Sequence, residues 1–173
     1  MRTRLQSKLG RRAIAVVVAS AVSLCLAAAA FGLPPFTTAP KSSAPSGGQA
    51  ELFATAAACH ATFDRFVIRA RLATPGYSVR YVAKVVADGS GKTVSLLGTK
   101  RIHVVIDRAR AHTSGGGVLL SRVTTPLCSN LRQVKLAGDF EGVVSFGMGL
   151  RRKTGFRVFR LTAPTRIVVD VAH

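Results

Sequence analysis

The chain has 173 residues, with 25 Lys and Arg against 7 Asp and Glu, a formal charge of +18, three cysteines, no tryptophan and 48% apolar residues. Its length suits one domain with appendages, and its apolar content excludes a wholly disordered chain. The excess of positive charge points away from cationic ligands and towards polyanions.

Arg2, Arg4, Lys8, Arg11 and Arg12 precede residues 13–31, which are all apolar or small. A basic stretch, an apolar run and small residues at its end (Ala28, Ala29, Ala30) describe a secretory signal peptide. The same run is long enough to span a bilayer as an uncleaved signal anchor. Residues 1–31 are therefore expected to be an export helix, and the positive-inside rule sends the remainder out of the cytoplasm in both cases. Cys25 lies inside the run behind Leu24, where a lipidated cysteine would follow a small residue. Without the five N-terminal cations, 20 bases still face 7 acids, a charge of +13. Outside the membrane the available polyanions are wall polymers, anionic lipids and peptidoglycan carboxylates, not nucleic acid. Residues 32–54, rich in Pro, Ser, Thr, Gly and Ala, are expected to form a disordered linker.

Residues 55–173 are expected to fold. Asp64, Phe66, Ile68 and Ala70 alternate with Arg65, Val67, Arg69 and Arg71, the period of a half-buried strand. After a Pro75-Gly76 turn, Tyr77, Val79 and Tyr81 alternate with Ser78, Arg80 and Val82. Asp88-Gly89-Ser90-Gly91 joins 84–87 to 93–97 as a hairpin, with glycine supplying positive φ. Ile102, Val104 and Ile106 mark the next strand, and Gly115-Gly116-Gly117 forms a loop before 118–123. Strands follow at 131–136, 143–150, 156–161 and 166–171. Val144, Phe146, Met148 and Leu150 share one side of their strand, as do Ile167, Val169 and Val171. No segment keeps a helical period. The expected class is all-β: a single β-sandwich of about eight or nine short strands.

Cys59 and Cys128 form an even pair in an oxidising compartment, most simply a disulfide; the alternative is two separate buried thiols. A metal site on Cys59 and His60 would lack the further paired ligands that zinc requires. Asp139 and Glu141 would face one way on a strand, the raw material of glycoside hydrolysis. Their neighbours Gly138 and Gly142 instead suggest a structural turn whose acids satisfy local donors. His60, His103, His112 and His173 show no metal-ligand spacing, and His103 is expected on a solvated strand face. GKT at residues 91–93 lacks the first glycine of a phosphate-binding loop, because Val86 stands there. No catalytic constellation, cofactor or metal site is expected. The remaining candidates are cations: Arg65, Arg69 and Arg71 on one strand face, the basic turn Arg151-Arg152-Lys153 and nearby Arg157, with Lys100-Arg101, Arg108, Arg110 and Arg160 adding more. Arginine grips phosphate or carboxylate through its bidentate fork.

Several phrases carry a family likeness: Phe63-Asp64-Arg65, Pro75-Gly76-Tyr77 with Arg80-Tyr81-Val82, Gly138-Asp139-Phe140-Glu141-Gly142, and Phe156-Arg157-Val158 through Asp170-Val171. From about Cys59 to His173 the chain resembles the AMIN-like domain family of secreted or membrane-anchored bacterial proteins. The resemblance implies a β-sandwich related to the AMIN domains of periplasmic amidases and secretin assemblies, which are non-catalytic and bind or localise to peptidoglycan. It supplies no catalytic residues. The expected protein is thus an exported, non-catalytic envelope component binding peptidoglycan or an anionic wall polymer. A protein-docking module of an envelope assembly is the rival, and a cell-wall hydrolase a more distant one.

Overall fold

The computed structural model describes residues 32–173; the expected export segment, residues 1–31, lies outside them. Eleven strands follow in chain order: β1 (Lys41–Ser43), β2 (Ala50–Cys59), β3 (Phe63–Arg71), β4 (Gly76–Val82), β5 (Lys100–Asp107), β6 (Ala109–Arg110), β7 (Val123–Thr124), β8 (Leu131–Phe140), β9 (Val143–Leu150), β10 (Phe156–Leu161) and β11 (Thr165–Ala172). There is no helix among the described residues. A six-stranded sheet runs β1-β4-β5-β9-β8-β7 and a five-stranded sheet runs β10-β11-β3-β2-β6. All pairings are antiparallel except the short parallel one between β2 and β6.

Alternation places the apolar sides of the two sheets against each other. Phe66, Ile68, Ile167, Val169, Val171 and Phe156 of the five-stranded sheet meet Val79, Ile102, Val104, Ile106, Phe146 and Met148 of the six-stranded sheet, all fully buried or nearly so. Phe66 and Phe146 lock the layers edge to face, with ring centroids 5.5 Å apart, and Tyr81 meets Phe156 in the same way at 5.6 Å. The sheets, the core and the disulfide all lie within 32–173, which makes this segment a self-contained folding unit.

Residues 32–54 correct the linker expectation. Lys41–Ser43 pairs with β4, and the first half of β2 contributes fully buried Ala50 and Leu52. Glu51 between them faces Arg71 and Arg110. The alternation here is only two or three residues long, so composition outweighs it in the sequence. What orders the segment is distant: β3, β4 and β6 supply the backbone partners.

The second correction concerns residues 84–97. They do make hairpin contacts, with Val86 bridging Thr93 and the Ala87 amide donating to the Lys92 carbonyl at 2.8 Å. The hairpin is not a sheet strand pair, however. It lies across the outer face of the six-stranded sheet, where Val85 and Leu96 pack on Ala137 in a second small core. This is why β9 is buried on both sides from Val144 to Leu150. Its outward residues, Ser145, Gly147 and Gly149, are small for a steric reason. A Cβ on Gly147 would lie 2.8 Å from Leu96 Cδ1, and one on Gly149 would lie 2.0 Å from the Leu97 carbonyl oxygen. His103, opposite Gly147, is half buried rather than solvated, and its Nε2 is buried without a hydrogen-bond partner. Residues 118–123 are irregular apart from a His112–Val118 bridge and the start of β7.

Candidate functional site

Cys59 and Cys128 are joined as a disulfide that ties the end of β2 to the segment before β8. Beside it, fully buried Asp64 accepts the backbone N–H groups of Asn130 at 2.7 Å and Leu131 at 2.8 Å through Oδ2. Asn130 in turn holds the β9–β10 connection: its carbonyl accepts the Arg151 amide and its side-chain oxygen the Arg152 amide. This end of the sandwich is therefore rigidly built.

The sequence-nominated cations divide between two places. Arg65, Arg69, Arg71 and Arg157 lie on the outer face of the five-stranded sheet, and three of them are committed to acids. Asp170, fully buried, accepts from Arg65 Nε at 2.6 Å and Arg157 Nε at 2.9 Å. The Arg157 guanidinium also lies 4.3 Å from the Phe36 ring centroid. Arg71 pairs with Glu51, and together with Arg110 it holds that carboxyl below the usual carboxylate range. Only Arg69, opposite Arg166 in the register, has no acid partner.

Arg151, Arg152 and Lys153 sit at the disulfide end. Register brings more cations to them. Leu150 lies opposite both Lys100 and Leu131, so Lys100 and Arg101 at the start of β5 and Arg132 at the start of β8 flank the Arg151 turn. No carboxylate lies within 4.0 Å of any of these six charges among the described residues. Between them are two adjoining depressions. One, about 230 Å³, is lined by Gly98, Thr99, Arg132 and Arg151. The other, about 400 Å³, is lined by Tyr81, Val82, Ala83, Thr99, Lys100, Arg101 and Lys153. Thr99 belongs to both, and is fixed by its amide to the Leu150 carbonyl and its hydroxyl to the Arg151 carbonyl. Arg132 is held by the Cys128 carbonyl at 3.0 Å. Exposed Leu97 and Leu127 border the patch. Arg132 escapes sequence reading because one arginine at a strand start gains meaning only from its neighbours in the sheet.

Glu141 and Gly142, both at positive φ, are the two central residues of the β8–β9 hairpin turn, the pattern of a type I′ turn. Asp139 and Glu141 do not act as a pair. Asp139 Oδ2 accepts the Ala111 amide at 3.1 Å and lies 2.7 Å from His112 Nδ1, while Glu141 is exposed at the tip. Asp139 instead shares a cavity of about 390 Å³ with Asp88, His112 and Arg122. Spacing alone does not reveal the His112–Asp139 contact, which spans a long loop.

The AMIN-like domain family model matches residues 50–173. The chain belongs to the AMIN-like domain family. The match begins at the first residue of β2 and takes in both sheets apart from β1. No curated protein and no solved structure matches the chain. In an AMIN-like domain, then, the disulfide end carries the uncommitted charge, and the broad face of the five-stranded sheet carries arginines largely neutralised by their own acids.

Proposed function

We propose that this AMIN-like domain is an exported envelope module that docks on peptidoglycan or an anionic wall polymer through its disulfide end and performs no chemistry of its own. Family membership supports an envelope docking or binding role. The observation that carries the choice of surface is the gathering of Lys100, Arg101, Arg132, Arg151, Arg152 and Lys153 around two depressions with no acid partner. Paired arginines such as Arg65 and Arg157 would have to leave a buried carboxylate to bind anything, which costs more than an exposed contact returns. Free cations on a rigid frame attract a polyanion without that cost.

Residues 32–173 are expected to sediment with isolated cell walls, with retention falling as salt rises. Arg132→Ala with Arg151→Ala is expected to weaken retention by about tenfold per arginine, whereas Arg71→Ala, at the far end, leaves it unchanged. Retention indifferent to both salt and the double substitution would refute this placement of the surface.

A further inference from the structure

Three acids in this domain are buried: Glu51, Asp64 and Asp170. Glu51 and Asp170 each take two arginines. Asp64 takes none, in a chain with 18 arginines. Its Oδ2 is fixed by two backbone amides, while Oδ1 is buried with no hydrogen-bond partner. The nearest basic group is His173 Nε2, 3.4 Å away, and that nitrogen also lies 3.1 Å from the His60 carbonyl. Buried charges are normally paired or bound to metal. The Asp64 carboxylate, Cys59 Sγ and Cys128 Sγ all lie within 4.8 Å of one another.

We propose that Cys59, Cys128 and Asp64 form a binding site for a thiophilic divalent cation of the zinc class, masked while the disulfide is closed and opened when it is reduced. Two thiolates and one carboxylate, with a fourth position next to the His173 ring, make a donor set of the kind zinc takes. The two amides on Oδ2 fix the orientation of the Asp64 carboxylate, as hydrogen-bonded partners orient a metal-bound carboxylate. Cys59 is exposed and Cys128 buried, so a reductant reaches the bond from the Cys59 side. A dithiol reductant supplies two electrons and two protons, closing to its own cyclic disulfide as the protein gains two thiols. Metal then displaces the two thiol protons to solvent. The site adjoins the docking patch, whose Arg132 is held by the Cys128 carbonyl, but the metal proposal does not depend on that function.

The test uses residues 32–173, which carry only these two cysteines, reduced with a phosphine that becomes its oxide with oxygen from water. Cobalt(II) added under anaerobic conditions is expected to give one equivalent of a tetrahedral thiolate spectrum, zinc to displace it, and the oxidised protein to give none. Asp64→Asn keeps an oxygen for the two amides but loses the carboxylate, and is expected to weaken cobalt binding about tenfold or more. Cys59→Ser should abolish the spectrum. Circular dichroism follows the fold throughout, because the reduced chain is less stable. If it unfolds, metal added before reduction is expected to preserve the sheet signal. The proposal fails if the folded reduced protein shows no thiolate–cobalt band, if metal neither preserves nor restores the fold of an unfolded one, or if Asp64→Asn binds cobalt as tightly as the parent.

Discussion

Replacing Gly149 with alanine tests how the hairpin of residues 84–97 and the docking surface depend on one another. The added Cβ would sit 2.0 Å from the Leu97 carbonyl oxygen and 3.1 Å from Leu96 Cβ. Ordinary contact needs well over 3 Å, so the backbone at Leu97 must retreat by roughly 1 Å or more. It has little room. The Leu97 amide is bonded to Gln133 Oε1 at 3.2 Å, and the Thr99 amide to the Leu150 carbonyl at 2.8 Å. Overpacking of this kind costs about 1–3 kcal/mol. Loosening Leu96 from the second small core adds part of the ~1.5–3 kcal/mol that its burial contributes. A loss of about 3 kcal/mol lowers Tm by about 10 °C in a domain of this size. Gly116→Ala, at positive φ with open space, should cost about 1 kcal/mol, and Gly48→Ala, unstrained and unopposed, within about 0.5 kcal/mol. Calorimetry of the three variants gives the ranking, and wall sedimentation of Gly149→Ala should weaken because Gly98 and Thr99 line the depressions. A Gly149→Ala protein melting within a couple of degrees of the parent would show that the hairpin does not rest on β9 as described.

Asp170→Asn leaves Arg65 and Arg157 without their carboxylate; since both are partly exposed, the cost is expected to be about 2–3 kcal/mol rather than the full penalty of a buried orphan, read as a shifted urea midpoint with unchanged slope. His103 is held below its ordinary value of 6.5, first by burial and then by Arg80, with Asp88 opposing. Its folded state therefore resists protonation, so the contribution is intact above pH 6.5 and is lost as pH falls through 6.5 towards the lower folded value. His103→Gln should flatten the stability profile in that window, and equal pH slopes for parent and variant would contradict it.

Much of the frame can be read from alternation: β3 and β5 show apolar and polar sides in the sequence that match their buried and less buried sides in the sheets, and the apolar sides read for β9 and β11 do face the core. The pattern fails where both sides of a segment are covered, or where the partner is remote. Val85 and Leu96 alternate as a sheet strand would, and only the glycines of β9 hint that they lie on top of a sheet instead. The buried start of β2 hides behind a linker-like composition. For the site, sequence identified the arginines but not their company. Arg65 and Arg151 look alike until register places Asp170 opposite one and three further cations beside the other.

β9 obeys opposite size rules on its two sides, bulky towards Phe66 and minimal towards Leu96. Inserting or deleting one residue between Val144 and Leu150 would swap them, driving Phe146 into the overlying hairpin and emptying the core beneath it. The strand can therefore be paired in one register only. Changes of length in this domain belong in open segments such as residues 114–117, which are exposed.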